Sequence, residues 1–150
     1  MRPSLALVIV MAVFGLAHAD PAKLVKQYSG RIIISPDPAP SVGSDLPDYV
    51  KANAVAGDGY ELVKGPPWEV HLIGFLAKEP GAATVQLVFG DATNAKAEPV
   101  AVVDVAAKNR IVIATLRATT AAGFEPNKPY VLRLMQGKTV LAKAQLTLRN

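Results

Sequence analysis

The C-terminal half of the chain is a series of short runs in which apolar and polar residues alternate. In the last run, apolar residues occupy every second position from Val140 to Leu148, and polar residues such as Lys143 lie between them. Successive residues of a β-strand point to opposite faces of its sheet. The pattern therefore predicts a strand with a buried inner face and a solvated outer face.

Other short runs are rich in β-branched residues and end at Pro, Gly or Asn. Because the connections are mostly too short for a crossover helix, neighbouring strands should be antiparallel. About seven short strands are typical of a two-sheet, antiparallel Greek-key sandwich, so the sequence predicts an all-β fold of this kind. The facing of 110–117 stays open, since both of its sides are apolar. The predicted strands are 30–35, 69–78, 83–89, 100–106, 110–117, 130–135 and 140–149.

The N-terminal residues follow a different pattern. Met1-Arg2 is a basic start, Leu5 to Phe14 is unbroken apolar sequence, and Ala17-His18-Ala19 has the A-x-A form of a signal-peptidase site. A membrane-spanning helix needs about 20 apolar residues, more than this run provides. We expect residues 1–19 to be removed after Ala19, with export to the periplasm or the medium and no membrane span left.

The remaining chain is predicted to be one domain, 30–150, preceded by a tether at 20–29. Prolines end the first strand and open a Pro-rich insertion, 36–67. Ser44 or Asp45 can cap one short helix that starts near Pro47, because proline is tolerated in the first turn. The insertion also holds four acids whose spacing matches no calcium-binding loop, so we expect solvated loop residues: Asp37, Asp45, Asp48 and Asp58.

Composition excludes several classes of function. The 150 residues contain no cysteine, which rules out disulfide-stapled scaffolds, Cys-ligated metal sites, thiol enzymes and lipid-anchored lipoproteins. Removal of residues 1–19 takes Arg2 and lowers the net charge from +4 to about +3, an ordinary balance. It also leaves His71 as the one histidine. We therefore expect no catalytic residue, no metal site, no cofactor and no nucleic-acid partner.

The segment from Gly123 to Leu134 carries a family resemblance. A Pro126-Asn127 turn precedes Tyr130, which opens an alternating strand, and Trp68 opens an earlier strand. This arrangement resembles the corner between strands E and F of immunoglobulin-like and fibronectin type III-like domains. The resemblance implies that Pro126 and Tyr130 form a structural corner in which the tyrosine hydroxyl bonds to nearby backbone.

Most of the chain also resembles small exported bacterial proteins that have no assigned activity. The shared pattern runs from a Gly-Pro-Pro-Trp segment through a Gly-Phe-Leu-Ala-Lys strand to a Val-Leu-Ala-Lys-Ala strand. This resemblance implies export but no reaction.

Two sets of residues are candidates for a binding surface. Tyr49, Tyr60 and Trp68 precede the regular strands; they can anchor the insertion, contact a protein or stack on sugar rings. Arg133, Lys143 and Arg149 point outward by parity and form a basic stripe, which is either a solvated face or a site for an acidic partner.

The sequence thus predicts an exported, non-catalytic β-sandwich that serves as a protein-interaction or structural module of the cell envelope. The alternative is a carbohydrate-binding module that uses the aromatic residues around Trp68 to bind polysaccharide.

Overall fold

A computed structural model of the protein describes residues 8–10, 21–40 and 45–150. Most of its regular structure is β-strand, with two short α-helices and a 3-10 helix at Ala56–Asp58. In chain order the elements are β1 (Val8–Val10), α1 (Pro21–Tyr28), β2 (Ile32–Ser35), α2 (Leu46–Asn53), β3 (Gly59–Leu62), β4 (Trp68–Phe75), β5 (Thr84–Asp91), β6 (Ala101–Ala106), β7 (Ile111–Ala118), β8 (Pro129–Gln136) and β9 (Thr139–Leu148).

The strands form two sheets. The four-stranded sheet has the order β1-β7-β4-β2, and the five-stranded sheet has the order β3-β9-β8-β5-β6. All neighbouring strands are antiparallel except β3, which runs parallel to β9. The alternation of the sequence therefore predicted the all-β, mostly antiparallel, two-sheet architecture correctly. The short strands β1 and β3 were not predicted.

The main apolar core fills the space between the two sheets. Trp68, Phe89 and Tyr130 are among its largest fully buried side chains. Burial of this much apolar surface supplies the dominant favourable term in folding. The core forms without disulfides, because the chain contains no cysteine.

Both helices cover the outer face of the four-stranded sheet and create a second apolar layer. Leu24 of α1 and Val50 of α2 share this layer with the outward-facing Ile73 and Ile111. The layer settles the facing of β7: its even-numbered residues from Val112 enter the main core, while its outer side is covered as well. Ile111, Val112 and Ile113 are all apolar because both sides of the strand are covered at its start.

The predicted tether at 20–29 is wrong, since Pro21–Tyr28 is helix α1. The predicted insertion 36–67 contains α2, the 3-10 helix and β3. Asp45 is the N-cap of α2 but makes no side-chain capping bond. The other candidate cap, Ser44, lies outside the described residues.

A β-bulge changes the facing of the start of β9. Leu134 pairs with Ala142 and Met135 pairs with Val140, so Leu141 is an extra residue between the two pairs. The prediction that Val140 faces the core is wrong for this reason: Val140 is 42% exposed, and Leu141 is buried in its place.

Part of the predicted signal peptide is a strand in the structure. Val8–Val10 forms β1 and pairs antiparallel with Ala114–Leu116 of β7. The predicted cleavage residues Ala17 and Ala19 lie outside the described residues. Within the described part of the chain, no helix has the length and apolar character needed to span a membrane.

Candidate functional site

Arg133 of β8 and Lys143 of β9 lie directly opposite each other on the outer face of the five-stranded sheet. Their inward neighbours Leu132, Leu134 and Ala144 are buried, which fixes the outward direction of the two cations. Within the described residues, neither side chain has an ion-pair partner. Like charges in directly opposed positions are destabilising, so an anion that bridges the two would relieve this repulsion.

Apolar side chains surround the cation pair. Val88 is opposite Arg133 on the other side of β8, and Val102 continues the same row on β6 with 46% of its surface exposed. Val131 and Met135, the outward neighbours of Arg133 along β8, are half-buried. The face thus combines uncompensated positive charge with accessible apolar surface, a combination found at protein-binding surfaces.

A groove of about 700 Å³ runs along β9 beside the cation pair. Its two sides come from segments far apart in the sequence. Strands β8 and β9 contribute Arg133, Lys143 and Gln145, and the facing wall contributes Gly30, Gly57 and Asp58.

The facing wall is held in place by Arg31. Its guanidinium donates to the Asp58 carboxylate at 2.7 Å and to the main-chain oxygen of Val55 at 3.0 Å. The hydrogen bond to Asp58 raises the pKa of Arg31, although partial burial opposes this shift. The Lys143 main-chain N–H donates to the Gly30 oxygen at 3.2 Å and joins the wall to β9. The charge of Arg31 is therefore compensated, unlike those of Arg133 and Lys143.

The Arg31–Asp58 pair was not predicted from the sequence. The sequence predicts only that Asp58 is a solvated loop residue, and its positive φ of 54° does suit a turn. The partner of Asp58 is 27 residues away. Only the flanking glycines signalled that this acid occupies an unusual backbone conformation.

Arg149, the third predicted cation, does not join the other two. It lies six positions beyond Lys143 along β9 and its extension, which is about 20 Å in an extended strand. Its guanidinium donates to Glu61 at 2.9 Å, so its charge is compensated. The predicted basic stripe is therefore a pair, Arg133 and Lys143.

The three candidate aromatic residues do not form an exposed surface. Trp68 is 1% exposed, and its indole N–H donates to the main-chain oxygen of Arg149 at 2.7 Å. Tyr60 is 6% exposed, and burial raises the pKa of its hydroxyl. Tyr49 lies on α2 and is half-buried. Its hydroxyl donates to the main-chain oxygen of Asp37 at 2.6 Å. These contacts correspond to the anchoring alternative and leave no aromatic platform for a sugar ring.

His71 lies on the outer side of the four-stranded sheet, the side that also carries Ile73 and Phe75. It stands in one cross-strand row between Ser35 and Thr115. Its Nδ1 is 2.9 Å from the Thr115 hydroxyl oxygen, and burial lowers the pKa of the imidazole. Among the described residues, no group of three or more His, Asp or Glu side chains could hold a metal ion.

A second groove, of about 630 Å³, lies between α1 and the turn at Asn109-Arg110. Its Arg110 guanidinium donates to the main-chain oxygens of Leu76 and Ala77, the shortest contact being 2.6 Å. The N–H groups of this arginine that face Leu76 and Ala77 are therefore already engaged.

Pro126 and Tyr130, the residues of the predicted corner, lie in the loop before β8 and at its start. The Tyr130 hydroxyl accepts a 2.8 Å hydrogen bond from the Glu125 main-chain N–H. Pro126 follows directly, and the Tyr130 ring packs edge-on against Phe124 with 5.5 Å between ring centroids.

Comparisons with protein-family models, with curated proteins and with solved structures find no match to this chain. The function must therefore be inferred from the site itself.

Proposed function

We propose that this protein is an exported, non-catalytic sandwich of the immunoglobulin-like Greek-key type that binds an acidic envelope protein. The strand order supports this topology. The consecutive strands β4 and β5 lie in different sheets, and β8 lies between β5 and β9 although β6 and β7 intervene in the chain. Such crossings between sheets are typical of Greek-key sandwiches.

The binding surface we propose is the outer face of the five-stranded sheet around Arg133 and Lys143. The observation that carries the proposal is that these two cations are directly opposed, uncompensated and bordered by half-buried valines, with the exposed Val102 in the same cross-strand row. A carboxylate placed between them gains charge-assisted hydrogen bonds, and the valines bury apolar surface of the same partner. The groove along β9 gives the partner chain a place to lie.

Photo-cross-linking in cells tests this surface. A photoreactive residue replaces Gln145, which is exposed and lines the groove. We expect a reproducible adduct whose yield falls about tenfold or more when Arg133→Glu and Lys143→Glu are combined, because both attractions become repulsions.

The matched control combines Lys51→Glu and Lys96→Glu, which make the same charge change at exposed positions outside this sheet face. The control should leave the adduct unchanged. An adduct that survives reversal of the cation pair, or no adduct at all in the native envelope, would contradict the proposed surface.

Export is a separate part of the proposal, and the leader pattern that ends at Ala17-His18-Ala19 supports it. N-terminal sequencing of the protein recovered from the exported fraction should begin at Asp20. Recovery of a chain that still begins at Met1 would refute removal of the leader while leaving the binding surface untouched.

A further inference from the structure

Most outer strands of the two sheets resist pairing with another chain. β2 has four residues and is followed at once by Pro36. β3 also has four residues and carries the exposed Glu61. β6 carries the exposed Asp104 on its outer face. Short length, proline and charge are the usual protections of a sheet edge.

β7 has none of these protections over most of its length. It is eight residues long, contains no proline, and has Arg117 as its one charged residue. From Ile111 to Leu116 every residue is apolar except Thr115. A long, apolar, β-branched strand of this kind readily accepts another strand along a free edge.

In the structure the free side of β7 is occupied by β1. Val8–Val10 pairs antiparallel with Ala114–Leu116, with Val8 opposite Leu116 and Val10 opposite Ala114. β1 also lies against β6, so it fills a position between the edges of both sheets. The main chain of β7 therefore accepts an extended segment in this position, and that segment is composed of β-branched apolar residues.

The segment that fills this position belongs to the N-terminal run that the A-x-A pattern predicts to be removed. Once residues 1–19 are gone, β7 becomes an edge, although it is an eight-residue strand that lacks these protections over most of its length. The energetic gain of pairing main-chain N–H and C=O groups is then available to another polypeptide.

We propose that the β7 edge is a second binding site, which takes an extended, apolar, β-branched segment of a partner protein laid antiparallel to β7. Val8–Val10 occupies this site within the same chain until it is removed. The site is on the sheet opposite to Arg133 and Lys143, so it is independent of the surface proposed above.

The test uses two forms of the full chain and two peptides. In the chain, Ile9→Pro removes β1 from β7 without altering the sandwich, because proline lacks the N–H group and the freedom that central strand pairing needs. The probe peptide contains residues 6–12 of this chain between lysines that keep it soluble. The control peptide is the same with Ile9→Pro. Hydrogen exchange of the Thr115 amide is the measurement, because Thr115 is opposite Ile9 and its N–H is on the β1 side, whereas the N–H groups of Ala114 and Leu116 point to β4. The amides of β8 and β9 report whether the sandwich stays folded.

We expect the amide of Thr115 to be protected in the unaltered chain and to exchange about tenfold or more faster in the Ile9→Pro chain. The probe peptide should restore its protection in the Ile9→Pro chain, and the control peptide should not. The unaltered chain should not respond to either peptide, because its site is occupied.

Three results would overturn the proposal. The first is unchanged exchange in the Ile9→Pro chain, which would mean that β1 does not cover this edge. The second is equal protection by both peptides. The third is protection that appears without peptide and grows with protein concentration, which would make the occupant a second copy of this chain rather than a partner segment.

Discussion

The indole N–H of Trp68 donates a 2.7 Å hydrogen bond to the main-chain oxygen of Arg149, 81 residues away in the sequence. The bond joins the first residue of β4 to the residue that follows β9, and so connects the two sheets near one end of the sandwich. Trp68 is also one of the largest buried side chains of the core.

Trp68→Phe removes the hydrogen-bond donor and part of the ring. We expect a loss of roughly 1–3 kcal/mol in the free energy of unfolding, because the main-chain oxygen of Arg149 loses its hydrogen-bond donor. Urea denaturation followed by circular dichroism measures this. Arg149→Ala is the control: it keeps the main-chain oxygen, removes the exposed Glu61 pair, and should cost about 0–1 kcal/mol. An equal effect of the two substitutions would argue against the role given to the indole.

Gly65 lies directly against the ring of Trp68. A Cβ atom at this position would collide with the indole nitrogen and its neighbouring ring carbons. Gly65→Ala should therefore destabilise the protein by roughly 1–3 kcal/mol, as overpacking does in a close-packed core. The matched substitution Gly59→Ala should be nearly neutral in the same denaturation experiment, because no atom lies within 4 Å of its added Cβ. Comparable losses at both positions would show that steric space is not the cause.

The burial of Trp68 also predicts the outcome of a sugar titration. Trp68 is the sole tryptophan, so its fluorescence reports on one known position. Because the ring faces the core, saturating polysaccharide should leave the emission intensity and wavelength unchanged. A saturable change that competes with free sugar would restore the carbohydrate-binding alternative.

Tyr130 holds its corner through one hydrogen bond from Glu125. Tyr130→Phe keeps the buried ring and removes the acceptor, so the Glu125 N–H loses its partner, at a cost of roughly 1–3 kcal/mol. Tyr60→Phe provides the comparison, since its hydroxyl accepts a longer, 3.4 Å bond from the Val55 N–H and should matter less. Thermal unfolding of the two variants measures both losses of stability. A larger loss for Tyr60→Phe than for Tyr130→Phe would contradict the prediction.

His71 predicts a dependence of stability on pH. Burial lowers the pKa of this imidazole in the folded protein, whereas in the unfolded chain it titrates near the ordinary value of about 6.5. Below that pH the unfolded state binds more protons than the folded state, so the free energy of unfolding falls as the pH decreases from 7 towards 5. Above about pH 7 this contribution is constant.

Urea denaturation between pH 5 and pH 7.5 measures the effect, and His71→Gln should flatten the dependence over this interval. An identical slope in the variant would assign the dependence to another group.

Local pattern determined how much of the fold could be predicted. β8 and β9 each have one buried and one solvent-facing side, so the period-two alternation of their sequences was sufficient to predict that they are strands. The sequence of β7 does not show which of its sides faces the core, because the helices that cover the outer side are distant in the sequence. Val140 is exposed because of the β-bulge in β9, and a bulge cannot be predicted from strict alternation.

The remaining errors also come from contacts between distant segments. α1 is only eight residues long, and Leu24 and Tyr28, four residues apart, were the helical signal that could have identified it. The burial of Trp68 and the Arg31–Asp58 pair both depend on partners that become neighbours only after folding. The outward direction of Arg133 and Lys143 could be predicted from strand parity, whereas the compensation of Arg149 by Glu61 could not.

Helix α1 also sets a practical limit on how far the chain can be shortened. Ile33, Ile73 and Phe75 face away from the main core. The side chains of α1 that cover them are Leu24, Val25 and Tyr28. A protein that starts at Gly30 would carry this uncovered apolar patch on an otherwise intact sandwich, and it should precipitate or associate nonspecifically. The smallest well-behaved form of the molecule is therefore one that keeps the residues from Pro21 onward.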